Sequence, residues 1–326
     1  MTKPAIDLRS LASLILSAIL IGLLLPAFLI TLVRLFGWES FHLVMLIETF
    51  TPFIVVGALG ALLIAGLARR LEIVWVALAI LPMLLIWTVP ELLHGKSLAT
   101  YKRTSEFNLV IYDQNVLGAH NPTLQKLSQN IIESNADLVF LQESGRNVFA
   151  QLKSDRVVDR YPFSYSKGEH TLLSRYQISG TQLVGKGNAR TLRSTVNVNG
   201  QDVTIYNVHM PAPHLVEPQR WLSAFDELKG ELASQNGPVL AIGDFNATYS
   251  HKQFRELLQL GYTEAHMELG RGYARTWPAN SVGGFMRIDH VLTHGSIDPV
   301  SIAEGDGDGS DHRSVIARVQ YHYRDQ

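Results

Sequence analysis

The sequence predicts an α+β domain preceded by three membrane-spanning helices. Three long apolar runs fill the first 94 of the 326 residues, whereas short strand-like runs alternate with amphipathic helices in the rest. The dipeptide Asn199-Gly200 separates two apolar runs, which is a strong signal for a two-residue β-hairpin. Hairpins combined with helices favour an α+β sandwich over a purely parallel sheet.

The N-terminal runs are long enough to cross a bilayer. They cover residues 10–33, 43–67 and 73–92, and about 20 apolar residues are needed for one crossing. The first run carries no charge, and the second carries only Glu48 near its start. We therefore interpret residues 1–94 as a membrane anchor, residues 95–105 as a linker and residues 106–326 as a separate domain.

The short segments that flank the spans predict the orientation of the anchor. Four basic residues fall on the side of the N-terminus, against one, Arg34, on the other side. Because cytoplasmic flanks carry the excess of Lys and Arg, we expect the N-terminus in the cytoplasm and the domain after residue 94 outside it. Three basic residues after the third span favour the opposite orientation. The four basic residues on the N-terminal side are Lys3, Arg9, Arg69 and Arg70, and the three that follow the third span are Lys96, Lys102 and Arg103.

The composition excludes several classes of function. The chain has 28 Lys and Arg residues against 29 Asp and Glu residues, which gives a net charge of −1. A domain that grips nucleic acid by bulk charge needs a clear basic excess, and this chain has none. The absence of cysteine excludes disulfides, cysteine-ligated zinc and thiol catalysis.

Strands and helices alternate along the domain that follows the anchor. Apolar alternation predicts a strand over residues 107–115, and Asn121-Pro122 begins a helix that ends near Ser134. A second helix is predicted over residues 218–233. The other predicted strands are 138–141, 195–198, 203–208, 238–242, 287–292 and 314–319.

Polar residues of the types that carry chemistry recur where these strands end. Each of them alone has an ordinary structural explanation, such as a turn or a helix cap. Six such positions in one domain point instead to a shared site at one sheet edge. They are Asn115, Gln142-Glu143, Asn207 with His209, Asp244 with Asn246, Asp289-His290 and Asp311-His312.

Seven short motifs surround these strand ends. They are Tyr112-Asp113-Gln114-Asn115-Val116, Leu141-Gln142-Glu143, Leu173-Ser174-Arg175-Tyr176, Asn207-Val208-His209, Gly243-Asp244-Phe245-Asn246-Ala247, Arg287-Ile288-Asp289-His290 and Ser310-Asp311-His312. In this order they resemble the endonuclease/exonuclease/phosphatase superfamily, which includes DNase I, abasic-site endonucleases, inositol-phosphate phosphatases and neutral sphingomyelinases. The resemblance covers roughly residues 105–320. It implies a four-layer α/β/β/α sandwich of the DNase I type, with residues 106–326 as the catalytic domain of a phosphate-ester hydrolase.

The resemblance implies a divalent metal and two amide groups that bind phosphate. Glu143 would hold Mg²⁺, with Mn²⁺ as an alternative, because hard carboxylate oxygens are the ligands that Mg²⁺ prefers. Asp311 would be a second carboxylate on the metal side. Asn115 and Asn246 would bind the phosphate of the substrate through their amides.

Four further residues would carry the chemistry of hydrolysis. Asp244 would orient or deprotonate the attacking water, and His209 would protonate the leaving group. His312, paired with the carboxylate of Asp289, would contact the phosphate or act as a base. Arg190 and Arg193 would either contact the phosphate or form surface ion pairs, and the ion pairs are favoured.

The substrate is left open between three hypotheses. The favoured one is a lipid-linked phosphate or pyrophosphate, hydrolysed outside the cytoplasm by an enzyme tethered to a bacterial inner membrane, since tethering raises its effective concentration toward membrane lipids. The layout resembles the glycopeptide-resistance membrane proteins of actinobacteria, whose proposed substrate is a polyprenyl pyrophosphate. The alternatives are an extracytoplasmic nuclease, with nucleic acid as substrate only, and an inactive receptor for a lipid or partner. No obligate protein partner is predicted.

Overall fold

A computed structural model of the chain describes residues 7–38, 41–93, 107–185, 191–279 and 284–322. The chain divides into two compact units, Met1–Pro90 and Glu91–Gln326. The predicted linker, residues 95–105, lies outside the described residues, as does Arg190.

The first unit is helical, and two of its helices are long and apolar enough to cross a membrane. These are α1, Leu8–Phe36, and α4, Leu71–Leu93. The predicted second span is divided into α2, His42–Glu48, and α3, Thr51–Leu67, which are bent by 70° at the break between them. Proline lies in the first turn of α3, where its missing N–H and fixed φ suit a new helix start. The unit therefore has two candidate spans, or three if the bent pair is one broken span.

Small side chains hold the helices of this unit close together. Ala58, Ala61 and Ala65 of α3 are fully buried, and α3 packs against α1. Ala61 and Ala65 follow Gly57 at intervals of four residues, and such a stripe of small residues lets helix backbones approach closely. Large apolar side chains elsewhere on the helices, such as Leu63 and Trp75, are exposed, a pattern compatible with a surrounding membrane.

The second unit contains two six-stranded sheets. In the first sheet the order is β11-β12-β1-β2-β4-β3, and in the second it is β5-β6-β7-β8-β10-β9. The first sheet consists of β1 Phe107–Asn115, β2 Leu138–Gln142, β3 Phe163–Lys167, β4 His170–Ser174, β11 Ile297–Glu304 and β12 Val315–Tyr321. The second consists of β5 Gln177–Val184, β6 Thr191–Val198, β7 Gln201–His209, β8 Val239–Asp244, β9 Thr263–Glu264 and β10 Asp289–His294.

Alternating side chains give each sheet two apolar faces. In β2, Leu138 and Phe140 join the core between the sheets, while Val139 and Leu141 pack in a second core that also contains side chains of two helices. Because strand side chains alternate between faces, a strand with apolar residues at every position is buried on both sides. The unit therefore has an inner core between the sheets and an outer core under the helices of the first sheet.

Helices cover both sheets. On the first sheet lie α5, Leu124–Ser134, and α6, Arg146–Ser154. The helices associated with the second sheet are α7, Pro218–Ala233, α8, Lys252–Gln259, and the short α9, Ala265–Glu268. On that side, the ring of Phe254 in α8 lies 4.1 Å from the ring of His290 in β10. The layer order is α/β/β/α, which confirms the predicted α+β sandwich.

Each sheet contains one parallel pair of strands, and these pairs position the site. In the first sheet β1 and β2 run parallel, with Asn115 opposite Gln142. In the second sheet β7 and β8 run parallel, with His209 opposite Asp244. The strands thus end in pairs, and their last residues are the polar ones that the sequence singled out.

Candidate active site

Three buried polar side chains join the two sheets directly beneath the site. The amide Nε2 of Gln142 donates to Asp113 Oδ1 in its own sheet and to Asn207 Oδ1 in the other, both at 2.8 Å. The amide of Asn207 donates in return to the backbone oxygens of Leu141 and Thr171, at 3.2 and 3.1 Å. Burial, and then the nearby Asp289, raise the pKa of Asp113 well above its usual range, which favours the neutral form of this side chain. We call Asp113, Gln142 and Asn207 the inter-sheet clamp.

Above the clamp, Asn115 connects carboxylates from both sheets. Its amide Nδ2 lies 3.0 Å from Glu143 Oε1 and 3.1 Å from Asp244 Oδ2. The Asn115 amide oxygen accepts from the backbone N–H of Leu117 at 3.2 Å, which fixes the orientation of the amide. Glu143 follows β2 with a positive φ of 51°, a strained conformation of the kind found at functional sites. This backbone places a partly exposed carboxylate next to Asn115.

Asp244 ends β8 and is held by the loop that follows it. The backbone N–H of Asn246 donates to Asp244 Oδ1 at 2.8 Å, and the Asn246 amide donates to Asp244 Oδ2 and to the backbone oxygen of Met210, each at 2.9 Å. Burial raises the pKa of Asp244 to about 6, although the nearby His312 opposes this rise. At neutral pH Asp244 is therefore an ionised carboxylate with a raised proton affinity.

A glycine precedes Asp244 because no side chain fits there. Gly243 has a φ of 137°, in the region that favours glycine, and a Cβ at this position would lie 2.1 Å from the backbone oxygen of Val208. The close approach of β7 and β8 at this point thus depends on the missing side chain.

His312 and Asp289 form a buried pair. His312 Nδ1 lies 3.0 Å from both carboxylate oxygens of Asp289, and its Nε2 lies 3.8 Å from Asp244 Oδ2. Burial alone would lower the pKa of His312, but the charges of Asp289 and Asp244 outweigh it and raise this pKa to about 10. His312 is consequently an imidazolium cation at neutral pH. Of its two predicted roles, this charge favours contact with a phosphate over action as a base.

His209 has a partner that the sequence reasoning missed. Its Nδ1 donates to Glu169 Oε2 at 3.2 Å, and its Nε2 lies 3.6 Å from Glu143 Oε1. Burial lowers the pKa of His209, yet the hydrogen bond to Glu169 and the charge of Asp244 produce a net rise. The same hydrogen bond lowers the pKa of Glu169. A protonated imidazole at this position is suited to give a proton to a leaving group.

Asp311 lies next to His312 in the chain and is held by an indole. Trp277 Nε1 donates to Asp311 Oδ2 at 2.9 Å, a contact that the sequence did not predict. The other carboxylate oxygen, Oδ1, is buried and accepts no hydrogen bond from the described residues. By contrast, Arg193 faces Glu231 of α7 at 4.0 Å, which is the surface pairing that the sequence favoured.

The donor set fits a hard divalent cation. The free oxygen of Asp311 and the carboxylate of Glu143 are the ligand type that Mg²⁺ and Mn²⁺ prefer. One carboxylate oxygen of Asp244, one of Asp289 and one ring nitrogen of His312 also lie within 4.8 Å of one another. Because the Asp289–His312 contact already has hydrogen-bond geometry, we keep Glu143 and Asp311 as the proposed ligands.

Comparisons with known proteins identify the family of the chain. The model of the endonuclease/exonuclease/phosphatase family matches residues 114–312. The chain belongs to this family. The match runs from the residue before Asn115 to His312, so it includes all of the proposed site residues. No curated protein sequence matches the chain.

Solved structures of the family share the fold of the second unit. A truncated TDP2 from Caenorhabditis elegans is 18% identical, with a TM-score of 0.55, and the similarity covers 68% of this chain and 100% of that one. A family protein from Bacteroides vulgatus is 14% identical with a TM-score of 0.54, covering 67% and 100%. One from Beutenbergia cavernae is 18% identical with a TM-score of 0.50, covering 66% and 72%. At these identities the similarity concerns the fold alone.

Proposed function

We propose that this protein is a membrane-tethered, Mg²⁺-dependent hydrolase that cleaves a lipid-linked phosphate or pyrophosphate outside the cytoplasm. The observation that carries the proposal is the meeting of Asp244, His312 and His209 at one edge of the sandwich. Asp244 is a carboxylate with a pKa raised to about 6, His312 is an imidazolium paired with Asp289, and His209 is an imidazole whose pKa is raised by its hydrogen bond to Glu169. Hydrolysis of a phosphate ester needs these three functions: an aimed water, neutralised phosphoryl charge and a proton for the leaving oxygen.

Asp244 and His209 divide the proton transfers between them. Asp244 accepts a proton from the water as the new bond between oxygen and phosphorus forms, and its raised pKa suits this task near neutral pH. As the bond between phosphorus and the leaving oxygen breaks, His209 gives its proton to that oxygen. Glu169 keeps the imidazole of His209 oriented and protonated before the reaction.

The remaining site residues bind and neutralise the phosphate. His312 places a positive charge in a buried position next to Asp244, where electrostatic interactions are stronger than in water. The amides of Asn115 and Asn246 orient Asp244, and to bind the phosphate each would turn one N–H away from its present acceptor. Mg²⁺ bound by Glu143 and Asp311 would supply Lewis-acid polarisation of the phosphoryl oxygens.

The choice of a lipid substrate is supported by the rest of the chain. The N-terminal helices would hold the site at a bilayer, which raises its effective concentration toward lipid-linked phosphates. The part after residue 94 carries 23 basic and 24 acidic residues, so it lacks the basic excess of a nucleic-acid-binding domain. With the bent pair of α2 and α3 as one broken span, the chain crosses the membrane three times, and the excess of basic residues on the N-terminal flank then supports an external site.

The first test is phosphate release by the full-length chain reconstituted in nanodiscs with Mg²⁺. Polyprenyl pyrophosphate in the bilayer and plasmid DNA in solution are offered separately. We expect release from the lipid, loss of release in His312→Ala, and normal release in the matched control His322→Ala, whose imidazole pairs with Asp298. Nicking of the plasmid without phosphate release from the lipid would support the nuclease alternative, which the protonated His209 also suits.

The orientation has its own test. The chain lacks cysteine, so Ser234→Cys at the exposed end of α7 introduces a single thiol. Labelling of this thiol in intact cells by a membrane-impermeant maleimide is the expected result. Labelling only after the cells are opened would place the catalytic unit in the cytoplasm.

A further inference from the structure

Exposed apolar side chains in the second unit cluster on segments that adjoin the site. Among the described residues that follow α4, four large apolar side chains are at least 36% exposed: Phe163 at 36%, Leu215 at 76%, Tyr273 at 50% and Phe285 at 47%. Single exposed apolar residues are ordinary on protein surfaces. Here, however, three of the four lie on only two segments, and both segments are bonded to site residues.

The first segment carries Leu215 and begins directly after His209. Its first residue, Met210, donates its backbone N–H to the backbone oxygen of Asp244 at 2.9 Å, and its own backbone oxygen accepts from the Asn246 amide. The backbone N–H of Leu215 donates to the backbone oxygen of Ala212 at 3.0 Å, so the segment turns before α7. Leu215 thus lies on a loop that is anchored to the backbone of Asp244.

The second segment carries Tyr273 and Phe285. Its middle is fixed to the site, because the indole of Trp277 donates to Asp311. The backbone N–H of Phe285 donates to the oxygen of Trp277 at 2.8 Å, and Met286 forms an isolated bridge with Trp277. Phe285 is therefore linked through one residue to the proposed metal ligand.

Neither segment carries a carboxylate that an anionic lipid surface would repel. Residues 210–216 include no Lys, Arg, Asp or Glu, and residues 269–288 include three arginines and no Asp or Glu. Arg287 is buried and pairs with Glu264, and Arg271 pairs with Glu304. The guanidinium of Arg275 lies 6.0 Å from the ring centre of Tyr273. Aromatic and aliphatic side chains beside arginine are typical of surfaces that enter the headgroup region of a membrane. The same chain contains apolar helices that are long enough to cross a membrane, and such a surface would contact that membrane.

We propose that Leu215, Tyr273 and Phe285 form an apolar rim that inserts into the headgroup region of the bilayer holding the N-terminal helices. The rim would place the site against phosphates at the membrane surface, and this consequence rests on the proposed function. Insertion itself does not depend on the substrate. Phe163 is the internal comparison, since it lies opposite Ser174 on edge strand β3, and Ser174 pairs with Leu138 at the end of β2 remote from Glu143.

The test uses the natural absence of cysteine. Four full-length variants, Leu215→Cys, Tyr273→Cys, Phe285→Cys and Phe163→Cys, each carry one thiol for a polarity-sensitive fluorophore. Each is reconstituted into vesicles that contain phospholipids with a spin label on the upper part of the acyl chain. We expect strong quenching at the three rim positions and little at position 163. Equal, weak quenching at all four positions would overturn the rim.

A second measurement separates the rim from the proposed function. In the Leu215→Ser/Phe285→Ser double variant, the rate on a long-chain lipid phosphate in vesicles, divided by the rate on a soluble short-chain ester, should fall about tenfold or more, since two apolar anchors are lost. Phe163→Ser should leave this ratio unchanged. If the protein hydrolyses the lipid but the rim positions are not quenched, the proposal of rim insertion is wrong and the proposed function is retained. If the rim positions are quenched but the protein nicks DNA and does not hydrolyse the lipid, rim insertion is confirmed and the proposed function is wrong.

Discussion

The substitution Asp289→Asn tests the electrostatic role assigned to His312. It removes a charge while nearly preserving the shape of the side chain that receives both 3.0 Å contacts from His312 Nδ1. The rise in the pKa of His312 from 6.5 to about 10 corresponds to about 5 kcal/mol. Asp289 supplies the hydrogen bond and the largest of the attractive charges, so we assign it somewhat under half of this free energy, about 2 kcal/mol.

The expected effect depends on pH in a defined direction. His312 acts as a cation, so its contribution to activity is complete below its pKa and is lost as pH rises through it. In Asp289→Asn this pKa should fall by about 1.5 units, so activity is lost at lower pH and the ratio of wild-type to variant kcat/KM approaches about thirtyfold in the alkaline limb. The assay is Mg²⁺-dependent hydrolysis of a soluble phosphate ester by the full chain in nanodiscs, over a pH series from about 7 to about 11.

A matched control is available in the same unit. Asp298 pairs with His322 Nε2 at 3.1 Å, so Asp298→Asn removes the carboxylate of a second Asp–His pair that lies outside the site. This control should keep the wild-type profile. If Asp289→Asn lowers kcat/KM by the same factor at every pH, Asp289 has only a structural role, and the reasoning from the charge of His312 is refuted.

Three further outcomes are expected. Glu169→Gln should lower kcat about tenfold at neutral pH and move the alkaline limb to lower pH, because His209 loses the carboxylate that raises its pKa; an unchanged profile would remove Glu169 from the mechanism. Gly243→Ala should reduce the free energy of unfolding in denaturant by about 3 kcal/mol or more, since its Cβ would meet the oxygen of Val208. The control Gly230→Ala, in open space on α7, should instead stabilise by about 0.5–1 kcal/mol; equal effects would contradict the packing argument. Chelation by EDTA should abolish phosphate release and added Mg²⁺ should restore it, whereas full activity in EDTA would exclude the proposed metal role.

Local signals in the sequence predicted much of the fold. The helix predicted over residues 218–233 coincides with α7, and the hairpin at Asn199-Gly200 joins β6 to β7, with both residues at positive φ as such turns require. The second predicted span, by contrast, is not one continuous helix in the structure. The apolar run 43–67 has the length of one span, but a proline in its first part begins a new helix and the chain bends there.

The polar residues at strand ends are brought together, but their partners were beyond sequence reasoning. Glu169 lies 40 positions before His209 in a turn between two five-residue strands, and nothing local indicates that the turn folds over the site. Trp277 is similarly remote from Asp311. Gln142 and Asn207 were singled out as site residues, yet both point into the clamp, because their orientation depends on how the two sheets face each other.

The inter-sheet clamp has a consequence for how the protein becomes active. Apolar side chains alone would let one sheet slide over the other at little cost, whereas the hydrogen bonds of Gln142 and Asn207 are directional and form in one alignment only. A chain whose sheets have collapsed out of alignment would have a hydrophobic core but would leave these amides buried without partners. Assembly of the site and correct docking of the sheets are thus the same event. Catalytic activity would therefore report the final step of folding, after secondary structure and compactness have been reached.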